Sequence, residues 1–204
     1  TFLDRLGIVT REGVAAEDVV GGFSAVYPVL KAMEDAGRVR RGYFVEGLGA
    51  AQFALPGAAE RVRAERDLPD EPTVAILSAT DPAQPYGATL AWPRNEGDSR
   101  KAYQRVAGAR VVLVNGEPVL YLDRGKRGLL TFPATASEDL LREAVQALGA
   151  DPISLGSKGL ALERIDGEPA VDSPIAAVLL DSGFAKGFRG YTKRPLRAEE
   201  MAHA

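Results

Sequence analysis

The sequence predicts an α+β protein, with a winged helix over residues 1–68 and a β-rich, barrel-like domain with two packed helices, near 137–148 and 174–182, over residues 73–204. Three observations carry that expectation. Residues 10–56 run helix, turn, helix and β-hairpin, the order of a winged helix. From Ala109 the apolar period becomes that of strands, punctuated by the turn pairs Asn115-Gly116 and Asp166-Gly167. Between the two regions, Leu68-Pro69-Asp70-Glu71-Pro72 concentrates proline and acid, as linkers do where few contacts cross.

Phe2, Leu3 and Leu6 share one face of an opening helical pattern that has no initiating Met, so the sequence reads as a piece of a longer chain. Thr10 is placed to cap a short helix from about Arg11 to Glu17, with Glu12 in its first turn, and Gly21-Gly22 breaks the chain after it. The second helix sets Phe23, Val26, Tyr27, Leu30 and Met33 on one buried face, and Gly37 stops it. Pro28 interrupts the pattern, which predicts a start near Ser24 or a kink at the proline. The basic run Arg38 to Val45, the loop Glu46 to Gly49 and a strand Ala51 to Ala54 form the wing, and Gly57 to Arg66 reads as a charged helix.

Thr73 to Ala79 is apolar but too short to assign to helix or strand. A proline-rich loop follows, with Trp92 as its packing anchor, and Arg94 to Arg100 is polar and reads as mobile. Arg110–Val114 and Pro118–Asp123 form a hairpin about Asn115-Gly116, and the turn Arg124–Gly128 leads to a third strand, Leu129–Phe132. Ser137 caps an amphipathic helix that turns Leu140, Leu141, Val145 and Leu148 inward, with Gly149 as its stop. Leu160–Ile165 is a further strand before Asp166-Gly167, and Ser173-Pro174 opens a last helix to Ser182.

At 204 residues, with 46% hydrophobic and 26% charged residues, the chain is globular and large enough for two cores. No apolar run reaches membrane-spanning length, so no membrane partner and no signal peptide are expected. Without cysteine, and with its single histidine, His203, in the terminal tail, the chain offers no metal cluster and no disulfide, and a reducing, cytoplasmic setting is compatible. The net charge of −3 excludes coating of nucleic acid by bulk charge, so any such contact must use local patches. No phosphate-binding loop, nucleophile elbow or Ser/His pairing is present, so neither ATP hydrolysis nor acyl hydrolysis is expected of this stretch, and no cofactor.

Two patches stand out. The wing carries Arg38, Arg40 and Arg41 with Tyr43 and no acid among them, which suits phosphate contact, although winged helices also serve as protein contacts. From Phe184 to Arg197, Lys186, Arg189, Lys193 and Arg194 interleave with Phe188 and Tyr191, a pairing of charge with rings that suits single strands and equally an edge strand that buries its rings. The turn Arg124, Lys126, Arg127 is a weaker candidate of the same kind. Asp123 and Asp181 are the candidate catalytic carboxylates, and each reads also as an ordinary strand-end or helix-end acid.

The runs GGFSAVYPVLKAMEDAGRVRRGYFVEGLGAAQFALPG, SATDPAQPYGATLAWP and VVLVNGEPVLYLDRG resemble the C-terminal region of Lhr-type large helicases, superfamily 2 enzymes of bacteria and archaea. The resemblance covers nearly the whole chain. It implies an ATP-dependent, 3′-to-5′ single-strand DNA translocase and helicase acting in DNA repair, with ATP and magnesium held only by motor domains upstream. The implied partners are single-stranded or tailed DNA and the upstream helicase domains, with a pure oligomerisation module as an alternative. Such regions look like serial winged helices followed by a β-barrel, similar to winged-helix DNA glycosylases of the AlkZ type, which makes a base-excision module the other alternative. The Gln-x-Gln signature of those glycosylases is absent, because Gln52 is followed by Phe53 and Ala54.

Overall fold

The computed structural model describes residues 2–49, 51–65, 71–94 and 102–195. The chain divides into two compact units, Thr1–Leu68 with Pro85–Ala91, and Pro69–Gln84 with Trp92–Ala204. The linker expected at Leu68–Pro72 and the polar stretch expected at Arg94–Arg100 lie mostly outside the described residues. No helix among the described residues is long and apolar enough to cross a membrane.

The first unit runs α1 (Phe2–Leu6), β1 (Ile8–Val9), α2 (Arg11–Ala15), α3 (Gly22–Asp35), β2 (Arg40–Gly42), β3 (Gln52–Ala54) and α4 (Ala58–Ala64). Thr10 caps α2 as expected, its hydroxyl accepting from the Gly13 N–H at 2.9 Å. Helix α3 begins at Gly22, ahead of Ser24, and carries Pro28 inside it. Pro28, which has no N–H to give the Ser24 carbonyl, lies with Ser24 on the exposed side of the helix. At the other end Gly37, at φ 69°, donates to the Glu34 carbonyl and Arg38 to that of Met33, both at 2.8 Å. That pair of bonds is a Schellman stop. Phe23, Val26, Tyr27, Leu30 and Met33 pack with Leu3, Val9, Val14, Val39 and Phe53. In the sheet, β3 is central, with β2 on one side and β1 on the other.

The second unit comprises β4 (Val74–Ser78), β5 (Arg110–Val114), β6 (Glu117–Leu122), β7 (Gly128–Thr131), α5 (Glu138–Ala150), α6 (Pro152–Leu155), β8 (Leu160–Leu162), β9 (Arg164–Ile165), β10 (Glu168–Pro169), α7 (Ala176–Asp181), β11 (Ala185–Lys186) and β12 (Tyr191–Lys193). The run that sequence left unassigned is strand β4, paired along its whole length with β5. Asn115 and Gly116 take φ 51° and 83°, the positive pair a type I′ turn needs. The predicted strand Leu160–Ile165 splits at Glu163, β8 joining β12 while β9 runs parallel to β7.

The barrel expectation is corrected. The six-stranded sheet, in the order β10-β9-β7-β6-β5-β4, ends on two different edges, and β11-β12-β8 is a separate sheet. Helix α5 packs on β4, β5 and β6. Its Leu141, Ala144, Val145 and Leu148 share one core with Val112, Leu120, Leu122 and Leu129 of the sheet and Val178 and Leu179 of α7. A helical layer thus buries the apolar face that a closed barrel would have turned inward. Helix α5 also runs through Gly149 to Ala150. A Cβ on Gly149 would lie 3.0 Å from the Phe184 ring, so that glycine serves close packing, and the stop comes from Asp151-Pro152. Helix α7 starts at Ala176, later than Ser173-Pro174 suggested.

Candidate nucleic-acid interface

The wing is organised by a side chain that sequence did not single out. Gln52 on β3 has no solvent exposure. Its Oε1 accepts from the N–H groups of Phe44 and Val45, both at 2.8 Å, and its Nε2 donates to the carbonyls of Val45 at 3.0 Å and Leu48 at 3.1 Å. Backbone groups that a loop leaves without a strand partner are satisfied by one carboxamide. At the start of this pinned loop Tyr43 stands 89% exposed, and Arg38 and Arg40, which precede it in the sequence, are exposed too. Arg41 differs, because its Nε lies 3.2 Å from Glu34 of α3 and its Nη1 donates to the Tyr27 hydroxyl at 3.5 Å. The acid that sequence proximity hid comes from the preceding helix. The outward side of α3 presents Ser24, Ala25, Pro28, Val29 and Ala32, and the helix's cation, Lys31, faces Asp35 at 3.4 Å. The wing, rather than α3, therefore holds the positive charge of this unit's hairpin face.

In the second unit β11 and β12 form a hairpin whose rings divide. Phe184 and Tyr191, at its foot, are 2% and 1% exposed, whereas Phe188, in the turn, is 99% exposed. The turn closes by a bond from the Gly187 N–H to the Gly190 carbonyl at 2.7 Å. Gly190 is obligatory, since a Cβ there would lie 1.9 Å from the Leu162 carbonyl. Lys186 and Arg189 flank Phe188 and are exposed. Lys193 is occupied, its Nζ donating to the Ser182 carbonyl at 2.8 Å and lying 5.9 Å from the Phe184 ring centre. It therefore satisfies the C-terminus of α7. Arg194 is exposed and lines a cleft with Lys193 and Asp181.

The two candidate carboxylates line different clefts. Asp123 holds the β6–β7 turn, its Oδ1 accepting from the Arg127 N–H at 3.1 Å, and it shares a cleft with Gln104, Tyr121, Arg124 and Arg164. Burial above all, and then the charge of Asp123, push the Tyr121 phenol above its ordinary value. Asp181 ends α7 in the open, 3.8 Å from Arg142. In the basic turn, Arg127 pairs with Glu163 at 2.8 Å and Lys126 donates to the Ile153 carbonyl, which ties up two of its three cations. Among the described residues no three His, Cys, Asp or Glu side chains converge as metal ligands.

Comparison with known proteins places this geometry. The winged-helix domain of large helicase-related proteins matches residues 1–74. The chain is 45% identical over 205 residues to a Mycolicibacterium smegmatis protein named Lhr helicase/probable uracil glycosylase, covering 95% of this chain and 13% of that one. It is 35% identical over 200 residues to the Escherichia coli Lhr helicase/uracil glycosylase, covering 93% and 12% respectively. The chain belongs to the C-terminal region of the Lhr-type helicases. It spans only a small part of the length of these curated relatives.

Two features of this Lhr region escaped the sequence. Gln52 could have been noticed as a polar residue between apolar neighbours on a central strand. The second is a ring cluster in which Trp92, the expected packing anchor, stacks on Phe132 at 5.8 Å while Tyr103 stacks on the same ring at 4.3 Å. The Tyr103 hydroxyl donates to the Thr131 carbonyl at 2.6 Å, and no local period announces a residue that reaches its partner across such a loop.

Proposed function

We propose that this chain is an accessory nucleic-acid-binding module of an ATP-dependent, 3′-to-5′ Lhr-type DNA helicase, working in DNA repair in the cytoplasm beside the motor domains of the same protein. One observation carries the reading. Each unit has a β-hairpin region that combines an exposed aromatic ring with exposed cations close in sequence, Tyr43 with Arg38 and Arg40, and Phe188 with Lys186 and Arg189. Cations attract phosphates and rings offer a surface to bases, and the two together suit a strand of DNA. On a chain of net charge −3 such contacts stay local. ATP and magnesium act in the motor domains, and the module needs no cofactor. Anisotropy of labelled single-stranded and tailed DNA titrated with the chain, repeated across salt concentrations, tests this. Affinity should fall with a log–log slope of about −0.7 per phosphate engaged on single strands. Absence of binding at low ionic strength would reject the reading.

A second reading is base excision. Both relatives carry uracil glycosylase in their names, and Asp123 lines a cleft with Tyr121, Arg124 and Arg164, where a carboxylate could stabilise positive charge developing on the sugar of a flipped nucleotide. Incubation with a uracil-containing strand followed by alkali is the check. Cleavage that survives Asp123→Asn unchanged would remove Asp123 from the chemistry, and no cleavage by the unmodified chain would remove the reading.

A further inference from the structure

We propose that Phe188 is a wedge that enters the base stack where single-stranded DNA meets duplex. The inference rests on the nucleic-acid reading above and assigns one contact within it. A ring that serves as a stacking platform lies with one face against the protein and offers the other to a base. Phe188, at 99% exposure, has nothing of the protein on either face, so a base can lie on each side of it, which is the geometry of an inserted side chain.

The rest of the hairpin is built to hold such a ring out. Its foot is anchored by the buried Phe184 and Tyr191, and β12 is paired with β8 through Tyr191, Thr192 and Lys193. The turn is closed by the Gly187–Gly190 bond, and Gly190 presses so closely on Leu162 that no side chain fits there. Unstacking a step costs free energy, which the contact must offset. Lys186 and Arg189, exposed on either side of the ring in sequence, supply attraction to the phosphates that flank the opened step. A junction is favoured over continuous duplex because its terminal step has stacking partners on one side only.

The test uses the full chain and a tailed duplex with 2-aminopurine at the junction step, against the same label within a plain single strand. Binding should raise the junction fluorescence several-fold. Phe188→Ala should abolish that rise and lower affinity for the tailed duplex about tenfold. Phe188→Leu should keep the rise, since an aliphatic side chain also wedges whereas a platform requires a ring. Binding without any rise in fluorescence overturns the wedge while leaving the nucleic-acid reading intact. A Leu variant that behaves as Ala also overturns it, in favour of a platform. An Ala variant that matches the unmodified chain in every DNA measurement overturns it in favour of a protein socket for the ring. No DNA binding at all removes both readings together.

Discussion

The Gln52 side chain holds both the N–H and the carbonyl of Val45, at 2.8 and 3.0 Å, from a position with no solvent exposure. This one residue joins the sheet of the winged helix to the loop that displays Tyr43. Gln52→Leu keeps most of the volume and removes all four bonds, leaving backbone groups of Phe44, Val45 and Leu48 without their partner. The expected loss is about 2–4 kcal/mol, because an unpaired buried polar group costs its full desolvation. Urea unfolding measures it. A loss under about 0.5 kcal/mol would mean that water or an alternative loop conformation replaces the carboxamide.

Tyr191 and Phe188 occupy one hairpin and should answer substitution oppositely. Tyr191 is 1% exposed in the core with Leu162 and Phe184, so Tyr191→Ala is expected to cost about 3–5 kcal/mol. Phe188→Ala should stay within about 0.5 kcal/mol, as exposed substitutions do. Thermal or urea melts of the two variants decide it, and a destabilised Phe188→Ala would show that its ring packs in solution.

Arg110 and Asp151 form an ion pair at 3.2 Å with side chains only 11% and 13% exposed, and Arg110 also donates to the Ile76 carbonyl at 3.1 Å. Asp151 caps α6 as well, accepting from the Ser154 N–H at 2.9 Å. Asp151→Ala should therefore cost about 3–5 kcal/mol, since it strands a largely buried guanidinium and removes a cap. The exposed pair Arg142–Glu138, at 2.6 Å, is the control. Glu138→Ala should change stability by no more than about 0.5 kcal/mol, and equal effects at the two sites would refute the distinction.

Tyr121 carries a pH prediction. Its phenol is raised above the ordinary value of 10.0, by burial first and by the Asp123 charge as well. The unfolded chain then loses this proton at lower pH than the native chain, so the contribution of Tyr121 to stability is level below pH 10 and declines as pH rises beyond it. Asp123→Asn withdraws one of the raising influences and should move the Tyr121 transition to lower pH. Ultraviolet titration of the tyrosinate band, with a Tyr121→Phe variant to subtract the other tyrosines, reads this, and an unmoved transition would show that the Asp123 charge has no part in it.

What sequence could reveal here was what a few neighbouring residues decide among themselves. Gly37 stops α3 and Asn115-Gly116 turns β5 into β6 through their own backbone angles, so both were legible. The pairing of Ile8 with Ala54 spans the first unit, and a two-residue strand has no period to read. Strand β9 leaves the line of β8 where the N–H groups of Glu163 and Arg164 both reach the Arg127 carbonyl, at 2.8 and 3.1 Å. That is a long-range bond with no local sign. Barrel closure is likewise a relation between distant edges, which a meander leaves undetermined, and here α5 took the face instead. In the candidate interface the basic runs were visible as composition. Which cations are already occupied was not, because Glu34, which engages Arg41, and Ser182, which engages Lys193, belong to other elements.

That division of cations yields the last prediction. Lys186 and Arg189 are exposed at the Phe188 turn, whereas Lys193 is bonded to the α7 terminus at 2.8 Å. Neutralising Lys186 and Arg189 to Gln should reduce the magnitude of the salt slope for single-stranded DNA by about 0.7 for each phosphate no longer neutralised. Their melting temperatures should stay level, since exposed charges contribute little to folding. Lys193→Gln should do the reverse, lowering stability by about 1 kcal/mol through removal of the bond to Ser182, with little change in slope. Slope and melt measured on the same three proteins place each cation in one class. If Lys193→Gln changes the slope as strongly as Lys186→Gln, its ammonium exchanges the Ser182 carbonyl for phosphate when DNA binds, and the interface extends from the turn down to the foot of the hairpin.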